Sequence, residues 1–373
     1  MGPPPSSPKP WSIRGSKACI HKPGWRRCRV GEPESIVHRE GAMKKMVLVG
    51  IDVSADELVV AVEREGQSLP VATFDNDATG HRKLIRWLTK SGRPVRVCLE
   101  ATGVYGLELS LALSRAKQVE VMVANPRAIK DFARAFLQRS KTDALDAKAI
   151  LEFVKRMPFR AWQAPPVEIL QLRAVSRRIS ALTKNMTMEK NRLHASDHCE
   201  ELTKFTRDDI ASHIEYLQES IRRLGAEAVA VIRQSPQLSR EFDHLVSVKG
   251  IAEASATQIL AELSVLPGDM TARQWVAHAG LDPRHHESGS SIHRPARVTK
   301  AGNKYLRSAL YMPALVAIQH EPNVRAFYEK LLARGKKPLQ AIVAVMRKLL
   351  HAIYGMLHHD RDFEGEKFFA MGA

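Results

Sequence analysis

The sequence is poor in cysteine and has no long apolar run. Only four of its 373 residues are cysteines, without paired spacing, which argues against a disulfide-stabilised secreted fold. No apolar stretch approaches the roughly 20 residues that span a bilayer, and the N-terminus lacks the apolar core of a signal peptide. We therefore expect a cytoplasmic protein without a membrane partner. The cysteines are Cys19, Cys28, Cys98 and Cys199.

The chain also has fewer acidic than basic residues. The chain has 57 Lys and Arg against 40 Asp and Glu, a formal net charge of +17. Such a surplus favours a polyanionic partner, because neutralising phosphates releases counterions. Ribosomal and membrane-surface proteins can be equally basic, so charge favours nucleic acid without establishing it.

Residues 1–45 differ from the rest of the chain. The first 42 residues hold seven of the 20 prolines and show no sustained hydrophobic periodicity. Such a segment buries too little apolar surface to offset the entropy of ordering, so we expect a disordered basic leader. The strand pattern begins after Met43 and Met46, which favours a true start at one of them. Cys19, His21 and Cys28 match no standard zinc spacing.

Residues 46–160 have the pattern of an α/β domain. The β-rich runs "VLVGIDV", "LVVAVE" and "LPVATFDN" are separated by turns and predict a three-stranded meander. Helices are predicted near residues 80–90, 105–116, 127–136 and 141–157, with the strands "VRVCLE" and "VEVMVAN" between the earlier ones. A meander followed by αβαβα is the element order of a ribonuclease H-like (RuvC-like) fold, whereas a flavodoxin-type sheet does not open with a meander.

Four acids fall at positions where this fold could use them. Asp52 ends the first strand, Glu100 ends the fourth, and Asp143 and Asp146 share one helical face. Carboxylates from two strand ends and a helix suit Mg²⁺. Two such ions about 3.5–4 Å apart can stabilise the attacking and leaving oxygens of phosphoryl transfer. We predict that the four acids are catalytic and bind metal.

Each acid also has a structural explanation when taken alone. Asp52 could initiate a turn, Glu100 could cap the next helix, Asp143 could complement a helix N-terminus, and Asp146 could be solvated. The catalytic interpretation is favoured because all four fall in the required elements together.

A Pro-Pro pair at residues 165–166 marks a boundary. Apolar residues at 3-4 spacing then predict two amphipathic helices of coiled-coil character over residues 165–235. An antiparallel hairpin, a dimerisation arm or plain core packing would all explain them. The first helix carries a basic face that could be solvated or could follow a phosphate backbone: Arg173, Arg177, Arg178, Lys184, Lys190 and Arg192.

Residues 240–358 are predicted to be mostly α-helical, followed by a tail at 359–373. "HLVSVKGIAEASATQILAEL" resembles a helix-hairpin-helix that offers backbone N–H groups to phosphate, although Ala252 replaces the usual second glycine. Further on, Ser288 opens the sequence "SGSS", which we expect to be a flexible loop between basic clusters. A hydroxyl beside a phosphodiester could be a nucleophile, although composition alone favours a linker.

The combined pattern resembles the DEDD-type insertion-sequence transposases, a family that includes the pilin-gene invertase and bridge-RNA-guided recombinases. The resemblance covers residues 47 to about 355 and is specific, since the motifs recur in order and spacing. They are "GIDVSADELVVAV", "CLEATGVYG", "NP" at 125–126, "RSKTDALDAKAIL", "GLDPRHHESGSS" and "TKAGNKYLRSALYMPA".

The resemblance implies a ribonuclease H-like N-terminal domain and a helical C-terminal transposase domain, with the coiled-coil-like connector between them. It maps the family's acids onto Asp52, Glu100, Asp143 and Asp146, with Mg²⁺ as cofactor, and its nucleophilic serine onto Ser288. It further implies a phosphoserine link to DNA, a guide (bridge) RNA, and a homo-oligomer, dimer or tetramer, that assembles the active site between protomers.

Three alternatives remain open. A RuvC-like junction resolvase or nuclease would use the same acids with water as nucleophile. A regulator that binds nucleic acid on an inactive scaffold is disfavoured by the intact acids. A tyrosine recombinase using Tyr305 or Tyr311 is poorly supported, because both fit as packing residues on a helix.

Overall fold

The computed structural model describes residues 46–101, 103–135, 142–196, 198, 204–288 and 292–371, with only the backbone for 284–288 and 292–297. The expected leader, with its Cys19, His21 and Cys28, lies outside the described residues. The chain divides into two compact units at Trp162 and Gln163. No helix in the described part of the chain is long and apolar enough to cross a membrane.

The first unit contains a mixed β-sheet. Strands β1 and β2 are antiparallel, β3 and β4 both pair with β2, and β5 and β6 extend the sheet in parallel from β1. The predicted meander is confirmed, with its third strand split into two short pieces. The strands are β1 (Val47–Val53), β2 (Glu57–Arg64), β3 (Gln67–Ser68), β4 (Ala72–Asp75), β5 (Val95–Glu100) and β6 (Val119–Ala124).

Helices pack on both faces of this sheet, and the predicted element order is confirmed. Alternate residues of β1 and β5 enter two separate hydrophobic clusters, because successive side chains of a strand point to opposite faces. One cluster contains apolar residues of α1 and α2, and the other contains those of α3 and α4. The helices are α1 (Ala78–Thr89), α2 (Leu107–Ser114), α3 (Pro126–Ala135) and α4 (Asp143–Arg156).

The second unit is mainly helical. Its helices are α5 (Val167–Ser196), α6 (Lys204–Gln234), α7 (Pro236–Val246), α8 (Glu253–Leu263), α9 (Ala272–Ala279), α10 (Lys304–Ala309), α11 (Tyr311–His320), α12 (Pro322–Ala333), α13 (Pro338–His358) and α14 (Gly365–Phe368). Between α9 and α10 the chain forms an antiparallel hairpin of β7 (Pro283–Ser288) and β8 (Ile292–Val298).

Helices α5 and α6 pack against each other as a long pair. Leu172 of α5 and Ile232 of α6 belong to the same buried cluster as residues of α8 and α13. At this end of the pair, core packing therefore explains the apolar spacing. The coiled-coil character and a dimerisation role stay predictions.

The predicted tail at residues 359–373 is partly ordered against the core. Phe368 of α14 is buried, and the Asn323 side-chain amide donates to the Phe369 carbonyl at 2.7 Å. Sequence periodicity could not reveal this segment, because α14 has only four residues.

Candidate active site

Asp52 and Glu100 lie at the carboxyl ends of neighbouring parallel strands. The register pairs Ile51 of β1 with Leu99 of β5. The next residue of each strand is the acid, so Asp52 and Glu100 lie side by side at the same edge of the sheet. Strand alternation places Asp52 on the side of Leu48, and Glu100 on the side of Cys98. Leu48 and Cys98 share one cluster with α4 residues, so both acids are on the face that α4 covers.

Asp143 and Asp146 lie in the first turn of α4, which Thr142 caps through its side chain and backbone. The helix reaches the sheet at Gly50, where an added Cβ would lie 2.4 Å from the Ala147 carbonyl oxygen and 2.3 Å from the Leu151 nitrogen. Because Gly50 precedes Asp52 by two residues and Ala147 directly follows Asp146, this close contact brings the helix start to the acid-bearing end of β1.

The electrostatics of Asp52 reflect this convergence. Desolvation, followed by the negative charges of Asp146, Asp143 and Glu100, raises the pKa of Asp52 from 3.8 to about 6. A hydrogen bond from the Val53 backbone acts in the opposite direction. In the structure, the carboxylates of Glu100, Asp143 and Asp146 therefore lie close enough to Asp52 to affect its ionisation.

The fit of these acids to a metal ion depends on their chemistry. Within the described residues, no group of three or more His, Cys, Asp or Glu side chains could hold a metal ion as it stands. Mg²⁺ does not require such a cage, because it is usually held by one or two carboxylates with water and substrate phosphate. Desolvation and the three neighbouring carboxylates disfavour the charged form of Asp52 and raise its pKa, and a bound cation would offset both effects. Hard oxygen donors in this arrangement fit Mg²⁺.

Ser288 lies in a different setting from the flexible loop expected from the sequence. Ser288 is the last residue of β7, and its backbone pairs with Ile292 of β8, so the segment is a β-hairpin. The residues of these strands lack the alternation of apolar and polar residues that predicts a strand. The Ser288 side chain, residues 289–291 and the side chains of the flanking Arg and His residues lie outside what the structure describes.

The base of this hairpin is fixed by the segment that follows it. The Thr299 hydroxyl donates to the Asp282 carboxylate at 2.7 Å, and the Arg307 guanidinium donates to the Ala279 carbonyl at 2.8 Å. Gly302, with φ of +139°, approaches the His278 carbonyl so closely that a Cβ would lie 2.2 Å away. The sequence "TKAGNKYLR" thus holds both strands of the hairpin against the end of α9.

A buried carboxylate that sequence analysis missed lies near this base. Glu262 of α8 is 1% exposed and accepts two hydrogen bonds from Arg177, at 2.7 and 3.0 Å, and one from the Asn303 amide at 2.6 Å. Arg173 Nε lies 3.6 Å from Glu262 Oε2, without a hydrogen bond. Although desolvation raises it, these partners lower the pKa of Glu262 overall.

This network corrects part of the predicted basic face of α5. Arg173 and Arg177, each with 33% of the side chain exposed, place their guanidinium groups beside Glu262 and offset its charge. The Arg177 guanidinium also lies over the Tyr305 ring at 4.6 Å, which gives Tyr305 the packing role expected for it.

The helix-hairpin-helix pattern is present as α7, a turn and α8. Gly250 has φ of +111°, and a Cβ there would lie 2.7 Å from the Pro313 carbonyl oxygen. Packing against α11 therefore explains this glycine without a ligand. Ala252 caps α8 without a side-chain hydrogen bond, and Glu253 in the first turn adds negative charge where a phosphate would bind. Phosphate binding at this turn stays a prediction.

Comparison with known proteins gives matches to both units. Residues 49–196 match a family model described as a transposase, and residues 243–329 match one described as a transposase of the IS116/IS110/IS902 family. The first match contains Asp52, Glu100, Asp143 and Asp146, and the second contains Ser288.

Several individual proteins are similar to the chain. The pilin gene-inverting protein of Moraxella bovis is 28% identical over 297 residues, covering 78% of this chain and 90% of that protein. An uncharacterized 43.6 kDa protein of insertion element IS110 from Streptomyces coelicolor is 28% identical over 155 residues, covering 42% of this chain and 37% of that protein. A solved structure of T. thermophilus RuvC with a Holliday junction substrate is 17% identical, with a TM-score of 0.22, and covers 28% of this chain and 90% of that one.

Proposed function

Because the chain belongs to the IS116/IS110/IS902 family of transposases, we propose that it cuts and rejoins DNA strands of an insertion sequence by metal-dependent phosphoryl transfer. The observation that carries this proposal is the convergence of Asp52, Glu100, Asp143 and Asp146, which raises the pKa of Asp52 to about 6. A strand order with two parallel strands added to a meander supports the ribonuclease H-like assignment of this unit.

The four acids would hold two Mg²⁺ ions. When bound, Mg²⁺ supplies positive charge that stabilises the attacking and leaving oxygens of a phosphodiester. Asp52 and Glu100 contribute from fixed strand ends, whereas Asp143 and Asp146 contribute from a helix start. Carboxylates held by separate rigid elements lose little freedom on binding an ion, which favours a defined geometry.

Ser288 would be the nucleophile. Its hydroxyl oxygen forms an ester bond to phosphorus while the bond from phosphorus to one DNA oxygen breaks, and the departing DNA hydroxyl takes up a proton in exchange for the serine proton. The phosphoserine ester conserves the bond energy, so the reverse attack by a DNA hydroxyl rejoins the strand without ATP. Gly289 follows Ser288 in the sequence, and a residue without a Cβ would let a phosphate approach the backbone closely. The family resemblance supports this choice of serine.

The proposed partners are DNA, a structured guide RNA and further copies of this chain. The net charge of +17 supports a nucleic-acid partner, and the family resemblance supports the guide RNA and the dimer or tetramer. Sequencing RNA that co-purifies with the protein tests the guide. One enriched structured RNA is expected, whereas a random sample of cellular RNA would contradict the guide proposal.

The nucleophile is tested by trapping a covalent complex on a nicked DNA substrate. The wild type and Ser290→Ala should each give a protein–DNA adduct that survives denaturation, because a serine nucleophile stays joined to the DNA end. Ser288→Ala should give no adduct while it retains fold and nucleic-acid binding.

Three results would overturn this assignment. An adduct with Ser288→Ala would move the nucleophile to another residue. Cutting without an adduct by the wild type would instead favour a nuclease that uses water, as in the resolvase alternative. Binding without any cutting would favour the regulator.

A further inference from the structure

Asn76 joins two loops that follow the acid-bearing strands. It lies between β4 and α1, and its backbone N–H donates to the Asp56 carbonyl at 2.8 Å. This bond attaches Asn76 to the turn between β1 and β2, which begins two residues after Asp52.

The Asn76 side chain extends the attachment to a second loop. Its Nδ2 donates to the Ser54 carbonyl at 2.7 Å and to the Tyr105 carbonyl at 3.2 Å, with the Ala55 carbonyl a further acceptor at 3.4 Å. Ser54 belongs to the turn after β1, whereas Tyr105 belongs to the loop between β5 and α2 that begins directly after Glu100. One amide group therefore links the loop that follows Asp52 to the loop that follows Glu100.

His81 fixes the orientation of this amide. Carbonyl oxygens only accept hydrogen bonds, so Nδ2 of Asn76 must face the loops and Oδ1 must face the His81 ring. His81 Nε2 lies 2.8 Å from Asn76 Oδ1 and must donate to it. The His81 side chain is buried on α1, so it supports Asn76 from the side opposite to the two loops.

We infer that Asn76, oriented by His81, is a positioning residue that sets the separation of Asp52 and Glu100. The two acids lie at the ends of adjacent parallel strands. Repulsion between their carboxylates favours separation of the loops that follow these strands. Bonds from one amide to both loops oppose that spreading. This inference rests on the proposed function, in which the two carboxylates bind Mg²⁺.

The test compares Asn76→Ala and Asn76→Asp with the wild type as full-length proteins. Asn76→Asp keeps the size but turns an oxygen toward the Ser54 and Tyr105 carbonyls, so it should separate the loops more than Asn76→Ala does. Hydrogen exchange of the metal-free proteins should become faster in both loops, at residues 54–57 and 103–107. The Mg²⁺ concentration that gives half-maximal binding in a calorimetric titration should increase about tenfold, because groups that orient metal ligands strongly affect metal affinity.

Asp77→Ala is the matched control, one residue along the chain. Asp77 caps α1 by accepting from the Thr79 and Gly80 N–H groups at 2.8 and 2.6 Å, and it contacts neither loop through these bonds. Its replacement should lower the unfolding temperature without changing the Mg²⁺ midpoint. A general loss of stability is thereby separated from a loss of ligand positioning.

The outcomes separate this inference from the proposed function. An unchanged Mg²⁺ midpoint in both Asn76 variants would overturn the positioning role and leave the metal proposal standing. The same shift in Asp77→Ala would also overturn it, since stability alone would then be the cause. No response of the wild type to Mg²⁺ would overturn both the metal proposal and the inference that depends on it.

Discussion

Two clusters of polar side chains, the first around Asp52 and the second around Glu262, have opposite electrostatics. Around Asp52, desolvation and three further carboxylates raise the pKa to about 6. Around Glu262, two arginines and an amide outweigh desolvation and lower the pKa. Neighbouring carboxylates that repel one another destabilise a fold and favour a cation, whereas a carboxylate paired with arginines can stabilise packing. The contrast predicts that the first cluster serves activity and the second serves structure.

The largest expected effect is on activity at the first cluster. Asp143→Asn should reduce strand cutting in Mg²⁺ by about 1000-fold, because several kcal/mol of charge stabilisation is lost and each 1.36 kcal/mol is a factor of ten. Nucleic-acid binding should persist. A quantitative cleavage assay with a parallel binding measurement checks this, and near-normal cutting by Asp143→Asn would remove the distinction between the clusters.

At the second cluster the large effect should be on stability. Glu262→Gln leaves Arg173 and Arg177 without their counter-charge, which should reduce the free energy of unfolding by about 3 kcal/mol. Because the pKa of Glu262 is lowered on folding, this contribution is full above pH 4.5 and is lost as pH falls further. Urea unfolding at pH 7 and pH 4 measures the difference, and an equal cost at both values would argue against a charge effect.

The sequence could predict the first cluster but not the second, for physical reasons. Asp52, Glu100, Asp143 and Asp146 each stand at a recognisable strand end or helix start, so their convergence follows from element order. Glu262 is one acid within an apolar helix, and its partners Arg177 and Asn303 lie 85 and 41 residues away along the chain. Only tertiary structure reveals such a pair.

The β7–β8 hairpin that contains Ser288 could not be predicted from the sequence for another reason. The residues of β7 and β8 lack the apolar alternation that marks strands facing a core, because the hairpin forms a separate two-stranded sheet. Asn76 does not stand out in the sequence, because an Asn between a strand and a helix is usual in turns and caps. Its bonds to two distant loops carry no local sequence signal.

Neutralising Asp52 should have a smaller effect on the free energy of unfolding than Glu262→Gln, and the effect should be an increase. Because burial and like charges hold its pKa above the unfolded value, ionisation disfavours the folded state as pH rises from 3.8 through 6. Without metal at pH 8, Asp52→Asn should therefore stabilise the protein by about 1 kcal/mol, a value reduced for solvent screening. At pH 3.5 the two proteins should unfold alike. Destabilisation at pH 8 would show that the acids are compensated.

The smallest effect is expected at a pair that matches Glu262 and Arg177 in geometry but not in burial. Arg222 donates two hydrogen bonds to Glu219, at 2.6 and 2.7 Å, yet the side chains are 72% and 59% exposed. Water solvates both groups when they separate, so the bond adds little to stability despite its short distances. Glu219→Gln should leave the urea midpoint unchanged, whereas Glu262→Gln in the same unit should lower it. If both changes cost the same, hydrogen-bond geometry rather than burial would determine the strength of these pairs, and the structural role assigned to Glu262 would lose its basis.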